Sequence, residues 1–126
     1  EQVLPYLDKM IELGRRDPVP MVRWHMAMIL GYLHPPAEQA ERVRDALLSL
    51  LRDRSALVRS WAVVSLCLLA RRRPDWGEDI LRALQPLELD ESKAVRTRIA
   101  KALPCLLQQD ADLPAGWDKS RGQQKP

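Results

Sequence analysis

The stretch Asp17-Pro18-Val19-Pro20-Met21-Val22-Arg23 opens a pattern that the chain repeats twice more. Asp17, Val22, Arg23 and Leu30 recur as Asp53, Val58, Arg59 and Leu66, then as Asp90, Val95, Arg96 and Leu103, shifted by 36 and then 37 residues. Four residues held in one register through three copies identify an internal repeat, and the period suits a helical hairpin. Apolar residues follow each motif valine at helical spacing: Met26, Leu30 and Leu33; Ala62, Leu66 and Leu69; Ile99, Leu103 and Leu106. That spacing marks one face of an α-helix. Upstream of each motif, Leu7 and Ile11, then Val43, Leu47 and Leu50, then Ile80, Leu84 and Leu87 form the matching stripe of a second helix.

Each unit therefore reads as helix A, a tight turn and helix B. The expected helices cover 2–14, 20–33, 37–52, 55–72, 76–88 and 92–108. Pro18 and Pro20 open the first B helix; Pro35, Pro36 and Pro74 separate the hairpins. Asp75 and Glu78 have the spacing of a capping box for the third A helix. Pro104 falls inside the third B helix, where it removes a backbone hydrogen bond. Composition agrees: Leu, Ala and Val dominate the apolar residues, Phe is absent and Gly occurs five times in 126 residues, which favours helix over strand. One hairpin cannot bury both of its stripes, so the units must stack, and about three are needed for a stable stack. The predicted fold is all-α, a right-handed α-solenoid of three hairpins and six helices.

The turn at 17–23 closely resembles the D-P-x-P-x-V-R turn of HEAT repeats. The second and third copies keep Asp, Val and Arg but replace both prolines, with Arg54 and Ala56 and with Glu91 and Lys93. The resemblance covers roughly residues 3–108. It gives a repeat domain at 1–108, with repeats at about 2–34, 37–72 and 75–108, and a C-terminal tail at 109–126. The tail loses the apolar period; Leu113 and Trp117 are its anchors and are expected to cap the end of the last repeat. The motif arginines lie about 100° round the helix from the motif valines, which aims Arg23, Arg59 and Arg96 at the buried side. A buried guanidinium needs an acceptor, and Asp17, Asp53 and Asp90 are the candidates. In HEAT proteins such residues form a ladder along the solenoid, and the resemblance implies the same here.

Residues suited to catalysis do not cluster. The only histidines are His25 and His34; there is no C-x-x-C, no H-x-x-x-H and no phosphate-binding glycine loop. The reading is a non-enzyme with no catalytic residues, no metal and no cofactor. Some alkylpurine DNA glycosylases use HEAT-like repeats, but their chemistry needs a carboxylate in the channel, and no carboxylate falls on the outward face of any B helix. Cys67 and Cys105 sit within helical apolar pattern as buried free thiols, which suits a reducing, cytoplasmic location. No apolar run is long enough to span a membrane. With 20 basic against 17 acidic residues, the net charge of +3 permits nucleic acid as a partner without favouring it.

The resemblance implies that the B helices line a concave surface. Opposite their core arc stand Trp24, His25, Met28 and Tyr32 in the first repeat, Ser60, Trp61, Val64 and Leu68 in the second, and Thr97, Arg98, Lys101 and Cys105 in the third. The first two sets are apolar where a solvated helix is polar, which marks either a partner groove or a stripe covered by the tail or by further flanking helices. The expected partner-binding residues are Trp24, His25, Met28, Tyr32, Trp61, Val64 and Leu68. A second candidate surface is basic: Arg15 and Arg16, Arg52 and Arg54, and the run Arg71, Arg72 and Arg73, as phosphate-contacting residues. The function read from the sequence is a protein-interaction scaffold, a monomer or a segment of a longer array, with a protein partner. The alternative is a nucleic-acid-binding module using the basic edges.

Overall fold

The computed structural model describes residues 4–108 and 111–117. Among them are six α-helices and no strand: α1 (Leu7–Arg16), α2 (Pro20–Tyr32), α3 (Ala37–Leu50), α4 (Ala56–Arg72), α5 (Gly77–Leu84) and α6 (Lys93–Leu107). Short 3-10 turns at Leu4–Tyr6, Pro74–Trp76 and Gln85–Leu89 precede α1, precede α5 and extend α5. The helices pair as three A/B hairpins. The B helices form one layer in which α4 packs between α2 and α6, the two most extensive helix contacts in the molecule. The predicted all-α solenoid is the observed fold.

The B helices start alike because their caps are alike. Ser55 and Ser92 stand at the N-caps of α4 and α6, each accepting from the backbone N–H three residues on, Val58 and Val95, at 3.4 Å. In α2, Pro20 occupies the first turn instead. Asp75 caps nothing: it lies in the 3-10 turn and pairs with Arg73 at 2.9 Å, so the expected capping box at α5 is not formed. Helix α6 runs through Pro104 to Leu107.

The core is one cluster running through all three repeats, including Leu7, Leu30, Leu47, Val58, Leu66, Ile80, Leu84, Val95 and Ile99. Between α2 and α4 the approach is close enough that Gly31 is required. A Cβ at Gly31 would stand 2.8 Å from the Ser65 Cα, and the Ser65 hydroxyl donates to the Ala27 carbonyl at 2.6 Å. Both cysteines are buried free thiols, and burial pushes the Cys67 pKa far up.

The repeats are joined by a two-step Arg–Asp ladder. The Arg23 guanidinium donates to the Asp17 carbonyl of its own turn at 2.8 Å and forks onto both oxygens of Asp53 in the next repeat, at 2.9 and 3.1 Å. Arg59 repeats the geometry one step on, donating to the Asp53 carbonyl at 2.8 Å and to Asp90 at 3.1 and 2.9 Å. Each aspartate also accepts the N–H two residues ahead (Val19, Ser55 and Ser92), which closes the turn before helix B. Arg23 and Arg59 are buried, at 5% and 8% exposure. Burial works against the charge on Asp90, but the hydrogen bonds from Arg59 and from the Ser92 N–H outweigh it and hold its pKa below the ordinary carboxylate value. Arg96, expected to be buried like the other two, is exposed; its guanidinium reaches the Asp90 carbonyl at 2.6 Å and no carboxylate among the described residues.

Part of the tail is also placed. Residues 109–110 and 118–126 lie outside the described residues. In 111–117, the Asp112 carbonyl accepts from the Cys105 thiol at 3.3 Å, and the Trp117 carbonyl accepts from the Tyr32 hydroxyl at 3.1 Å. Cys105 is near the end of α6 and Tyr32 ends α2, with α4 between them, so the segment crosses the C-terminal ends of the B layer. Trp117 is buried and Leu113 packs on the core. Leu113 and Trp117 do anchor the segment, but its reach goes beyond the end of the last repeat, since the Trp117 carbonyl meets Tyr32 of the first repeat.

Two outcomes follow from this packing. Arg59→Ala strands Asp90 and costs about 3–5 kcal/mol, whereas Arg96→Ala costs less than about 1 kcal/mol, both read from urea denaturation. Trp117→Ala releases the crossing segment, so amide exchange of residues 111–117 accelerates by at least about tenfold, roughly 1.4 kcal/mol of local protection; exchange in the core of α4 stays slow.

Candidate functional site: an aromatic stack across the B helices

Trp24, Trp61 and Arg98 each lie in the first two turns of their own B helix, and parallel packing of α2, α4 and α6 sets them side by side. The Trp24 and Trp61 rings stack nearly parallel, with centroids 6.0 Å apart and planes 10° from coplanar. On one side of the pair the His25 ring stacks on Trp24 at 3.8 Å. His25 is held there because its Nδ1–H donates to the Met21 carbonyl at 2.7 Å. On the other side the Arg98 guanidinium lies 5.4 Å from the Trp61 ring centroid. The result is one row, His25–Trp24–Trp61–Arg98, spanning all three repeats.

The rings are half-buried and pack against the core. Burial lowers the Arg98 pKa, but a guanidinium stays charged, so the ring face of Trp61 is its counterweight. Arg98 has no ion-pair or hydrogen-bond partner among the described residues. A row of two indoles ending in an unpaired guanidinium offers stacking surface and one anion contact, the residue types that dominate protein interfaces.

The structure divides the residues read from the sequence into two groups. Trp24, His25, Met28, Tyr32 and Trp61 are half-buried on the B-helix side. Val64 and Leu68, expected to be open, are buried at 1% and 5% exposure, and Ser60 is buried at 2%, its hydroxyl finding no partner among the described residues. The reason is the position of α4. A middle helix has neighbours on both flanks, so less of its circumference reaches solvent than in α2 or α6, and the 111–117 segment crosses its last turns. Cys105 is buried at the same crossing. Arg98 is absent from the residues expected to bind the partner, yet it completes the row. Its signal was present: His25, Trp61 and Arg98 all stand three residues after their motif valines.

The basic residues also separate. Arg71 and Arg72 form the last turn of α4 and Arg73 caps it. Arg72 donates to the Gly31 and Leu33 carbonyls at 3.1 and 2.9 Å, satisfying the free end of α2. Arg73 pairs with Asp75 and lies 3.9 Å over the buried Trp76, whose ring also has Arg44 at 4.5 Å. Arg72 and Arg73 are thus held by helix carbonyls, a carboxylate and an indole. Arg15, Arg16, Arg52 and Arg54 instead line one cleft at the turns of the first two repeats. Among the described residues no helix is long and apolar enough to cross a membrane, and no group of side chains is arranged to hold a metal ion.

Neither a comparison with curated proteins nor one with solved structures finds a match. The family model for HEAT repeats matches residues 7–103, from the start of α1 to within α6. HEAT repeats generally mediate protein–protein interaction, and the family is typically non-enzymatic. With that match over most of its length, and with the hairpins and the Arg–Asp ladder in register, the chain belongs to the HEAT-repeat family.

Proposed function

We propose that the chain is a protein-interaction module whose partner docks on the concave B-helix face, across His25, Trp24, Trp61 and Arg98. The observation that carries this reading is the stacked row itself. Two parallel, half-buried indoles keep apolar surface partly in water, and a rigid aromatic pair orders little further on binding. The partner this surface suits presents an apolar or aromatic group to the indoles and a carboxylate to Arg98. Tyr32 and Met28 extend the face toward the C-terminal ends of the helices, where the 111–117 segment bounds it.

Photo-crosslinking in cells tests this directly. A photoreactive residue at Met28 is expected to crosslink one protein partner, and Trp24→Ala with Trp61→Ala is expected to abolish that product. The double variant stays folded, each substitution costing about 1–3 kcal/mol because the rings are only partly buried. A photoreactive residue at exposed Glu41 on α3 is expected to give no such product. Crosslinking from Glu41 alone, or a product indifferent to loss of both indoles, contradicts the assignment of the face.

A further inference from the structure

We propose that the cleft between the turns of the first two repeats is a second binding site, one that takes a phosphorylated segment of a protein. The cleft has a volume of about 540 Å³ and is lined by Arg15, Arg16, Arg52 and Arg54, with the Arg23–Asp53 pair, Asp17, Pro18, Ser49 and Leu50 completing it. Five arginines and two aspartates give it a local excess of three positive charges. Arg23 is already bound by Asp53 and the Asp17 carbonyl. The other four guanidiniums are exposed and have no ion pair or hydrogen bond with the described residues.

Their backbone is fixed by the ladder. Arg16 precedes Asp17, and Arg52 and Arg54 flank Asp53, the two aspartates that accept the turn N–H groups of Val19 and Ser55. The Arg54 carbonyl also accepts from Arg59 at 3.3 Å. Four like charges are thus anchored to two rigid turns facing one cleft, and they repel one another until an anion enters. A planar guanidinium binds phosphoryl oxygens in pairs, and a phosphoryl dianion offers three oxygens to several such forks at once. A lone carboxylate leaves most of the excess charge unmatched.

Two features argue against nucleic acid as the occupant. Duplex or single-stranded binding needs charge repeated along the backbone, and the third repeat breaks the series. Where Arg52 and Arg54 flank Asp53, Leu89 and Glu91 flank Asp90, and Leu89 is 90% exposed. Among the described residues the cleft also has no aromatic lining on which a base could stack. A compact phosphorylated segment needs neither. The inference is independent of the B-helix face, since no lining residue belongs to the aromatic row.

Fluorescence anisotropy with the intact chain tests the proposal. The probe is a short fluorescein-labelled peptide carrying two phosphoserines; the comparisons are its unphosphorylated form, a form with glutamates in their place, and a labelled single-stranded oligonucleotide. The phosphopeptide is expected to bind at least about tenfold more tightly than each of the other three and to weaken as salt rises. Arg16→Glu with Arg52→Glu is expected to abolish binding, Arg54→Ala to weaken it by about tenfold, and Lys9→Glu, on α1 outside the cleft, to leave it unchanged. Melting curves verify that each variant is folded. Equal binding of the glutamate or unphosphorylated peptide, tighter binding of the oligonucleotide, or phosphopeptide binding that survives both the charge reversals and Arg54→Ala overturns the proposal.

Discussion

Each buried motif arginine does two jobs with one guanidinium, and the solenoid depends on that division. One edge of Arg23 or Arg59 bonds a carbonyl in its own turn; the other edge forks onto the aspartate of the next repeat. A stack of amphipathic hairpins held by apolar contact alone could slide or rotate, because burial of leucines and valines is not directional. The bidentate fork is directional. It fixes how far each B helix is shifted along its neighbour, and the same aspartate closes the turn that starts the next B helix. Desolvating the pair offsets much of its Coulomb energy, so its contribution is register more than net stability, while the core cluster supplies the favourable free energy of burial.

Both candidate surfaces inherit their order from that register. Residues three positions after the motif valines, His25, Trp61 and Arg98, come into one row because successive B helices are held in step. Trp24 fits between the first two. On the turn edge, the arginines beside Asp17 and Asp53 converge because the aspartates themselves are fixed. One surface is aromatic with a single charge, the other is almost wholly cationic, so they suit partners of different chemistry.

Much of the fold was legible in the sequence because the repeat is explicit. The recurrent Asp, Val, Arg and Leu gave the hairpins, the six helices and the burial of Arg23 and Arg59, since helical periodicity is a local property. The misreadings arise where burial depends on neighbours remote in sequence. Val64 and Leu68 lie opposite the core arc of their own helix, but α4 has helices on both flanks and a chain segment over its end. Arg72 looks solvent-facing until the carbonyls ending α2 are placed beside it. Trp117 sits in a stretch with no period, so no pattern could show that its carbonyl meets Tyr32. Arg96 is the converse case: the motif is intact, but among the described residues no further aspartate stands where Asp53 and Asp90 serve the earlier arginines.

The central claim is that the Arg–Asp fork couples one repeat to the next rather than merely filling a buried site. A double-mutant cycle on Arg59→Ala and Asp90→Ala, measured by urea denaturation, addresses it most directly. Coupled residues share part of their destabilisation, so the double variant is expected to cost less than the sum of the two single ones, with an interaction energy of about 1.5–3 kcal/mol. Destabilisations that add to within about 0.3 kcal/mol would mean that the two side chains act independently, and would contradict the ladder as the element that sets the register of the repeats.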